Sequence, residues 1–468
     1  MKKVKSVLLA GMLIISMIVS LTGCAGKDKA TESAATTPAA TQTQDTQAVS
    51  TESESGYVET PMDLHGRVIQ FVTPWAWQWK LADVEENTSN EIRYIVDVLH
   101  SVETDYNCKI EIVDSSFDTY LEDFATKKAA GDKIGDIFDY TPVTHPMTDL
   151  IKSDYFMPVD DIKTLNVKGF PWHMSTAFSV YNGKTYGVGY QFKQSGDVLR
   201  DMVLFNKNLA EKYKLGNFYQ MVRDKTFTFD KFREICEKVK ERSGGRVTPV
   251  VSARNEQWLA IPLVIANGGN FFESSNGILS YTGNSDKVKE ALHYFGGLTA
   301  DGLADTTVDG TPVFKDGEAL FLFDQYWAVR DHFSSDMEDD YGIIPPPIGP
   351  GATDFTSTLN DGRVLSIFNN VENPEEIGAV ITAIANRANN SDWQDRELQY
   401  ALRDEASVQM IEIMYDRQVV DYSNIVPNSD QILTMLNNVA TGAETPQEGL
   451  DRIDSIMKSS IDEYYAEE

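Results

Sequence analysis

From Arg67 to Tyr140 apolar runs and amphipathic stretches alternate, and this alternation restricts the fold more than any other feature of the chain. RVIQFVT (67–73) is a short apolar run between Gly66 and Pro74, which predicts a core strand. Glu91 to Val102 has apolar residues at 92, 95, 96, 99 and 102, the spacing of one helical face, with Ser89 or Asn90 as its cap. Cys108 to Val113 reads as a second strand and Phe117 to Ala130 as a second amphipathic helix closed by Gly131. DIFDY (136–140) is a third strand. Successive strands joined through helices pack as a parallel, doubly wound sheet, so an α/β fold is expected.

The middle of the chain changes character. In YNGKTYG (181–187) the Asn182-Gly183 pair is a strong two-residue hairpin signal, and Met202 to Phe205 predicts a strand. Helical spacing returns in Thr228 to Lys240, stopped by Ser243-Gly244-Gly245. It recurs in Glu256 to Phe272, with the helix ending at Gly268-Gly269, and in Ser285 to Gly302. Phe314 to Asp324 reads as a helix end followed by a strand, Tyr341 to Ile344 as a strand stopped by prolines, and Arg363 to Phe368 as another strand. Pro374-Glu375-Glu376 opens a helix, with proline in the first turn and acids at the positive end of the dipole. From there to Glu468 the pattern is helical throughout. A chain of 468 residues exceeds one ordinary core, and two lobes are expected.

Ahead of this body, Met1 to Ser20 has a basic start (Lys2, Lys3, Lys5) and an apolar core from Val7 to Val19, too short for a comfortable span. Leu21-Thr22-Gly23-Cys24 follows and resembles the lipobox of bacterial lipoproteins, in which the cysteine is lipid-modified after cleavage before it. Residues 24–61 are nearly all small or polar and predict a disordered tether. The net charge of −30 argues against nucleic acid as a partner, since phosphate contacts need clustered Lys and Arg. Cys24, Cys108 and Cys236 form no disulfide framework, although a single Cys108–Cys236 bridge stays open. The six histidines show no metal-ligand spacing, and Asp301, Asp305 and Asp309 lack the pattern of a calcium loop. No metal or cofactor is expected.

Six blocks carry a resemblance: YNGKTYG, VLFNKNLA, EQWLAIPLVIANGGNFF, FKDGEALFLFDQYW, YGIIPPPIGPG and NDGRVLSIFNNVENPEE. In order and approximate spacing, over most of residues 62–390, they resemble the carbohydrate-binding lipoproteins of ABC importers, the family that includes the maltose-binding protein. The resemblance implies a two-lobed, class II periplasmic-binding-protein-like fold. Its N-terminal lobe would comprise 62–190 and 361–412, and its C-terminal lobe 191–360 and 413–468. It implies crossings near Tyr190–Arg200, Thr356–Gly362 and Val408–Val420. It also implies ligand contacts from Trp75 and Trp77 after the first strand, Tyr140 and Thr141 after the third, and Glu256, Trp258 and Trp327. This sequence departs from the family in three places. No aromatic stands near Ser429–Ile432, Val188-Gly189 replaces the usual proline, and Gln194 to Asp201 is an insertion.

These residue types suit a sugar. A pyranose offers an apolar C–H face and a ring of hydroxyls, which call for flat aromatic surface plus paired acceptors and donors. The expected partners are therefore a carbohydrate, an ABC permease and, through a lipid on Cys24, the outer face of the cell membrane, with the protein acting as a monomer. Three alternatives remain open at this level: a surface glycoside hydrolase, a non-sugar ligand, and a binding protein serving a sensor kinase. No Gly-x-Ser-x-Gly, P-loop or His-Glu-x-x-His motif supports an enzyme.

Overall fold

Two five-stranded sheets organise the protein in a computed structural model, which describes residues 59, 61–79, 90–141, 146–190, 199, 201–275, 277–388 and 401–466. Cys24, the signal segment and nearly all of the tether lie outside the described residues, as does most of the crossing expected at 190–200. The strands in chain order are β1 (Arg67–Thr73), β2 (Cys108–Asp114), β3 (Ile137–Tyr140), β4 (Val180–Tyr181), β5 (Lys184–Thr185), β6 (Val188–Gly189), β7 (Met202–Asn206) and β8 (Thr248–Ser252). They continue with β9 (Phe272–Ser275), β10 (Ile278–Tyr281), β11 (Ala304–Asp305), β12 (Ala319–Asp324), β13 (Tyr341–Ile344), β14 (Ser357–Leu359), β15 (Val364–Ile367) and β16 (Gln418–Val420).

The first sheet has the order β2-β1-β3-β15-β6. Its first three strands are parallel, as the strand–helix alternation requires, whereas β15 runs antiparallel between β3 and β6. The helices Asn90–Asp105, Tyr120–Ala130 and Pro374–Ala388 accompany it. Ile69, Phe71, Leu99, Val102, Phe124, Phe138, Ile367 and Ile381 share one core. The Tyr120–Ala130 helix stops at Gly131, whose φ of 74° supplies the left-handed turn that frees its N–H for the last carbonyls.

The second sheet has the order β11-β8-β12-β7-β13, with β7 antiparallel to both neighbours. Strand periodicity divides β7 between two cores. Val203 and Phe205 join Phe232, Val250, Leu263 and Phe321, while Met202 and Leu204 join Val251, Phe314, Leu322 and Ile411. The helix Glu405–Tyr415, which the sequence reading gave to the first lobe as far as residue 412, puts Val408, Ile411 and Met414 into that last core and lies against β13.

Between the sheets, β14 and β16 form a short parallel pair with Ser357 opposite Gln418 and Leu359 opposite Val420. The chain after Pro374 is thus not wholly helical. Ser357 Oγ donates to the carbonyl of Asp201 (3.0 Å) just before β7, and Ser175 Oγ donates to the carbonyl of Arg363 (3.1 Å) just before β15. The crossing from 357 to 363 is therefore tied at each end to a different sheet. The hairpin at Asn182-Gly183 forms as expected, with both residues at positive φ (49° and 72°) joining β4 to β5. Cys108 and Cys236 are free thiols, the latter buried. No described helix is long and apolar enough to cross a membrane.

Candidate functional site

Two groups of aromatic and charged side chains gather beyond the carboxyl ends of parallel strands, where open α/β sheets collect ligands. The first lies past β1 and β3. Thr73 Oγ1 accepts from the Trp75 N–H (3.0 Å) and donates to Asp139 Oδ2 (2.9 Å), so the end of β1 is fastened to β3. Asp139 is fully enclosed and also accepts from the Tyr190 hydroxyl (2.9 Å) and from Arg363 Nε (3.2 Å), with a second bond from the other face of the guanidinium fork. A bidentate arginine–carboxylate pair of this kind is both directional and strong. Arg363 reaches Gln78 as well, and its guanidinium carbon stands 4.0 Å from the centre of the Trp75 ring. Trp75 is held from the side by Phe117, edge-on at 4.9 Å. Burial holds the Tyr190 hydroxyl far above the usual phenol range, with the positive charge of Arg363 working against it, so it stays a donor.

Within this group the expected residues differ in availability. Trp75 is half-buried with an oriented ring, and Trp77 stands out at 62% exposure. Trp79, the third of the run, turns inward onto Phe71 (4.7 Å) and is core. Tyr140 is 1% exposed and packs within the first sheet's core, so in this conformation it offers a ligand no face. Thr141 donates its hydroxyl to Asp361, whose Oδ1 also accepts from the Gly362 N–H (2.7 Å) two residues before β15.

The second group lies past β8 and β12. Ser252 ends β8, and Arg254 follows with its guanidinium over Trp258 (5.0 Å) and Trp327 (5.9 Å). Trp258 lies in the first turn of the helix Gln257–Ala266, and Glu256 occupies the cap position without a side-chain capping bond, leaving its carboxylate uncommitted to the helix end. Trp327 comes three residues after β12. Its Nε1 donates to Gln325 Oε1 (2.7 Å), and its ring meets His332 edge-on at 5.4 Å. Glu256, Trp258 and Trp327 are half-buried, each retaining exposed surface.

Arg363, Asp361, Asp324 and Arg254 are not among the residues the sequence singles out. Arg254 and Asp324 sit beside recognised motifs, two residues before Glu256 and at the head of DQYW. Arg363 gave no signal, because its role exists only once β15 lies beside β3.

Among the described residues no group of three or more His, Cys, Asp or Glu could hold a metal. The arrangement instead offers oriented tryptophans, planar donors and carboxylate acceptors, the means of binding a hydroxylated ligand with an apolar face.

No curated protein matches the chain by sequence. Solved structures do resemble it. The GacH receptor of Streptomyces glaucescens GLA.O has a TM-score of 0.57 at 16% identity, over 85% of this chain and 99% of that one. The cyclic α-maltosyl-1,6-maltose binding protein of Arthrobacter globiformis gives 0.64 at 12%, over 85% and 100%. The maltose-binding periplasmic protein of Listeria monocytogenes gives 0.60 at 14%, over 86% and 99%. At such identities the likeness establishes the two-lobed binding-protein fold. A family model described as bacterial extracellular solute-binding protein matches residues 102–391, more than half of the chain. The chain belongs to this family of bacterial extracellular solute-binding proteins, which capture solutes rather than transform them.

Proposed function

We propose that the protein captures a sugar or oligosaccharide between its two lobes and hands it to the permease of an ABC importer, while a lipid on Cys24 holds it at the outer face of the cell membrane. The observation that carries the sugar reading is the pairing of tryptophan platforms with polar side chains beyond the strand ends of both sheets. Trp75, Trp77 and Thr141 would serve from one side, and Glu256, Trp258 and Trp327 from the other, with Tyr140 behind Thr141. Related structures point the same way: the GacH receptor was solved with acarbose, and another neighbour, at 15% identity, with maltotetraose.

In this reading the crossing strands β14 and β16 serve as the hinge. Hinge closure about a few crossing residues would bring the two groups onto one ligand. Two stacked rings and two or three bonds to charged groups, each about 1.5–3 kcal/mol, are in keeping with micromolar affinity, about −8 kcal/mol. The Leu21-Thr22-Gly23-Cys24 tetrad supports the anchor, and a diacylated cysteine supplies the two chains that stable anchoring needs.

The test is substitution of the tryptophan and acid of the second group. Trp327→Ala and Glu256→Ala should each lower affinity for the saccharide bound by the wild-type protein at least tenfold, with the unfolding transition preserved. Wild-type affinity in both variants would overturn the residue assignment.

A further inference from the structure

Beside Trp327 lies a cavity of about 360 Å³ lined by Arg254, Asp309, Thr311, Lys315, Asp324 and His332, among others. Its volume falls within the range of small-molecule pockets. Asp324, the last residue of β12, is 3% exposed, and its two oxygens have different fates. Oδ1 accepts the backbone N–H of Gln325 (2.7 Å), whereas Oδ2 has no hydrogen-bond partner among the described residues. A buried carboxylate oxygen left unpaired is costly and calls for an explanation.

The neighbours do not supply the missing partner. Lys315 is paired with Asp336 (3.2 Å), and Asp309 accepts the Thr311 N–H (3.0 Å) as a helix cap. The Gln325 side chain is engaged by Trp327. Arg254 lies over the two tryptophans, close enough to stabilise the charge of Asp324 but without an ion pair to any described residue. Around one tryptophan the cavity therefore presents a carboxylate acceptor and a guanidinium donor. Positive charge from Arg254 and Lys315 disfavours a cationic guest, and Asp324 with Asp309 disfavours an anionic one. Adjacent neutral hydroxyls, donating to one group and accepting from the other, match both.

We infer that this cavity is a subsite for a vicinal diol of the bound sugar, with Asp324 Oδ2 accepting a ligand hydroxyl and Arg254 donating to its neighbour. The inference rests on the carbohydrate reading above. It makes Asp324 a binding and specificity residue: a sugar with that diol deoxygenated or methylated leaves the carboxylate unpaired and is rejected.

Burial pushes the Asp324 carboxyl up to about 7, with the Gln325 N–H and Arg254 pulling against it. A ligand hydroxyl favours the ionised form, so affinity should fall as pH drops through neutrality. The titratable and charged groups around it are Arg254 after β8, Asp309 at the cap of the helix Gly310–Lys315, Lys315 at its end, and His332. The comparison that isolates Asp324 is with a variant lacking only that carboxylate.

The experiment is calorimetric titration of wild-type, Asp324→Asn and Thr311→Trp proteins at pH 5.5 and 8. The titrant is whichever of maltose, maltotetraose and chitin oligosaccharides binds the wild type most tightly. Asp324→Asn should weaken binding about tenfold at pH 8, as expected on replacing a charged acceptor by a neutral one, and lose most of the pH dependence. Its thermal midpoint should hold or rise, because an uncompensated buried charge is gone; a merely structural carboxylate would give the opposite. Thr311→Trp fills part of the cavity and should weaken binding with the Asp324 carboxylate retained. Asp324→Asn and Thr311→Trp proteins binding like wild type would overturn the subsite. If no saccharide binds the wild type, the carbohydrate reading falls, and the diol with it.

Discussion

Arg363 joins β15 to the carboxylate of Asp139 and to the ring of Trp75, so one side chain sets both the end of the first sheet and an aromatic platform. Arg363→Ala would strand Asp139, fully buried, with a charge its remaining partners Thr73 and Tyr190 only partly offset. Removing one member of a buried pair costs about 3–5 kcal/mol, and that loss should appear as a lower urea midpoint. Binding should weaken as well, because Trp75 loses the surface beneath it. An unchanged midpoint would mean that the pair contributes nothing to the fold. The same residue marks the limit of reading single positions. Trp75 and Trp327 announce themselves as large aromatics just past apolar runs, whereas Arg363 and Asp361 look like ordinary surface charges until β15 lies beside β3. Tyr140 shows the converse: its motif position suggested a ligand contact, but as the last residue of a central strand it is enclosed.

At the level of elements, caps and turns were legible because their chemistry is local. Asn182-Gly183, Gly131 and Gly244 all adopt the positive φ that the sequence pattern predicted. The short strand β16 was not legible, since three residues show no period and it pairs with another short strand, β14. Gly189, where the related family has proline nearby, has a role visible only in three dimensions. A Cβ there would come 2.2 Å from Ser175 Oγ and 2.7 Å from the His173 carbonyl. Ser175 is also the residue that holds the Arg363 carbonyl, so displacing it loosens the crossing. Gly189→Ala should therefore destabilise by about 1–3 kcal/mol, the range for overpacking, measured by denaturant unfolding. Wild-type stability would show that the hairpin and the β6 edge shift freely.

At the scale of the molecule, two sheets of like order, each with three parallel strands and an antiparallel return, present their carboxyl ends with aromatic and charged groups, and β14 with β16 spans between them. The parallel strands β1 to β3 could be predicted from strand–helix alternation, whereas the antiparallel entry of β15 beside β3 and of β7 beside β12 could not. The division of residues 401–415 could not, because an amphipathic helix does not say which sheet its apolar face will meet. The proposed account requires that a saccharide bind the native protein and remain chemically intact. The decisive measurement is a thermal-shift screen of the purified protein against mono- and oligosaccharides, with the sugar assayed before and after. A ligand at a hundredfold excess over its Kd should stabilise the native state by about 2.7 kcal/mol. The account predicts a clear upward shift for one sugar class with that sugar fully recovered; no shift with any saccharide, or progressive loss of the sugar, would contradict it.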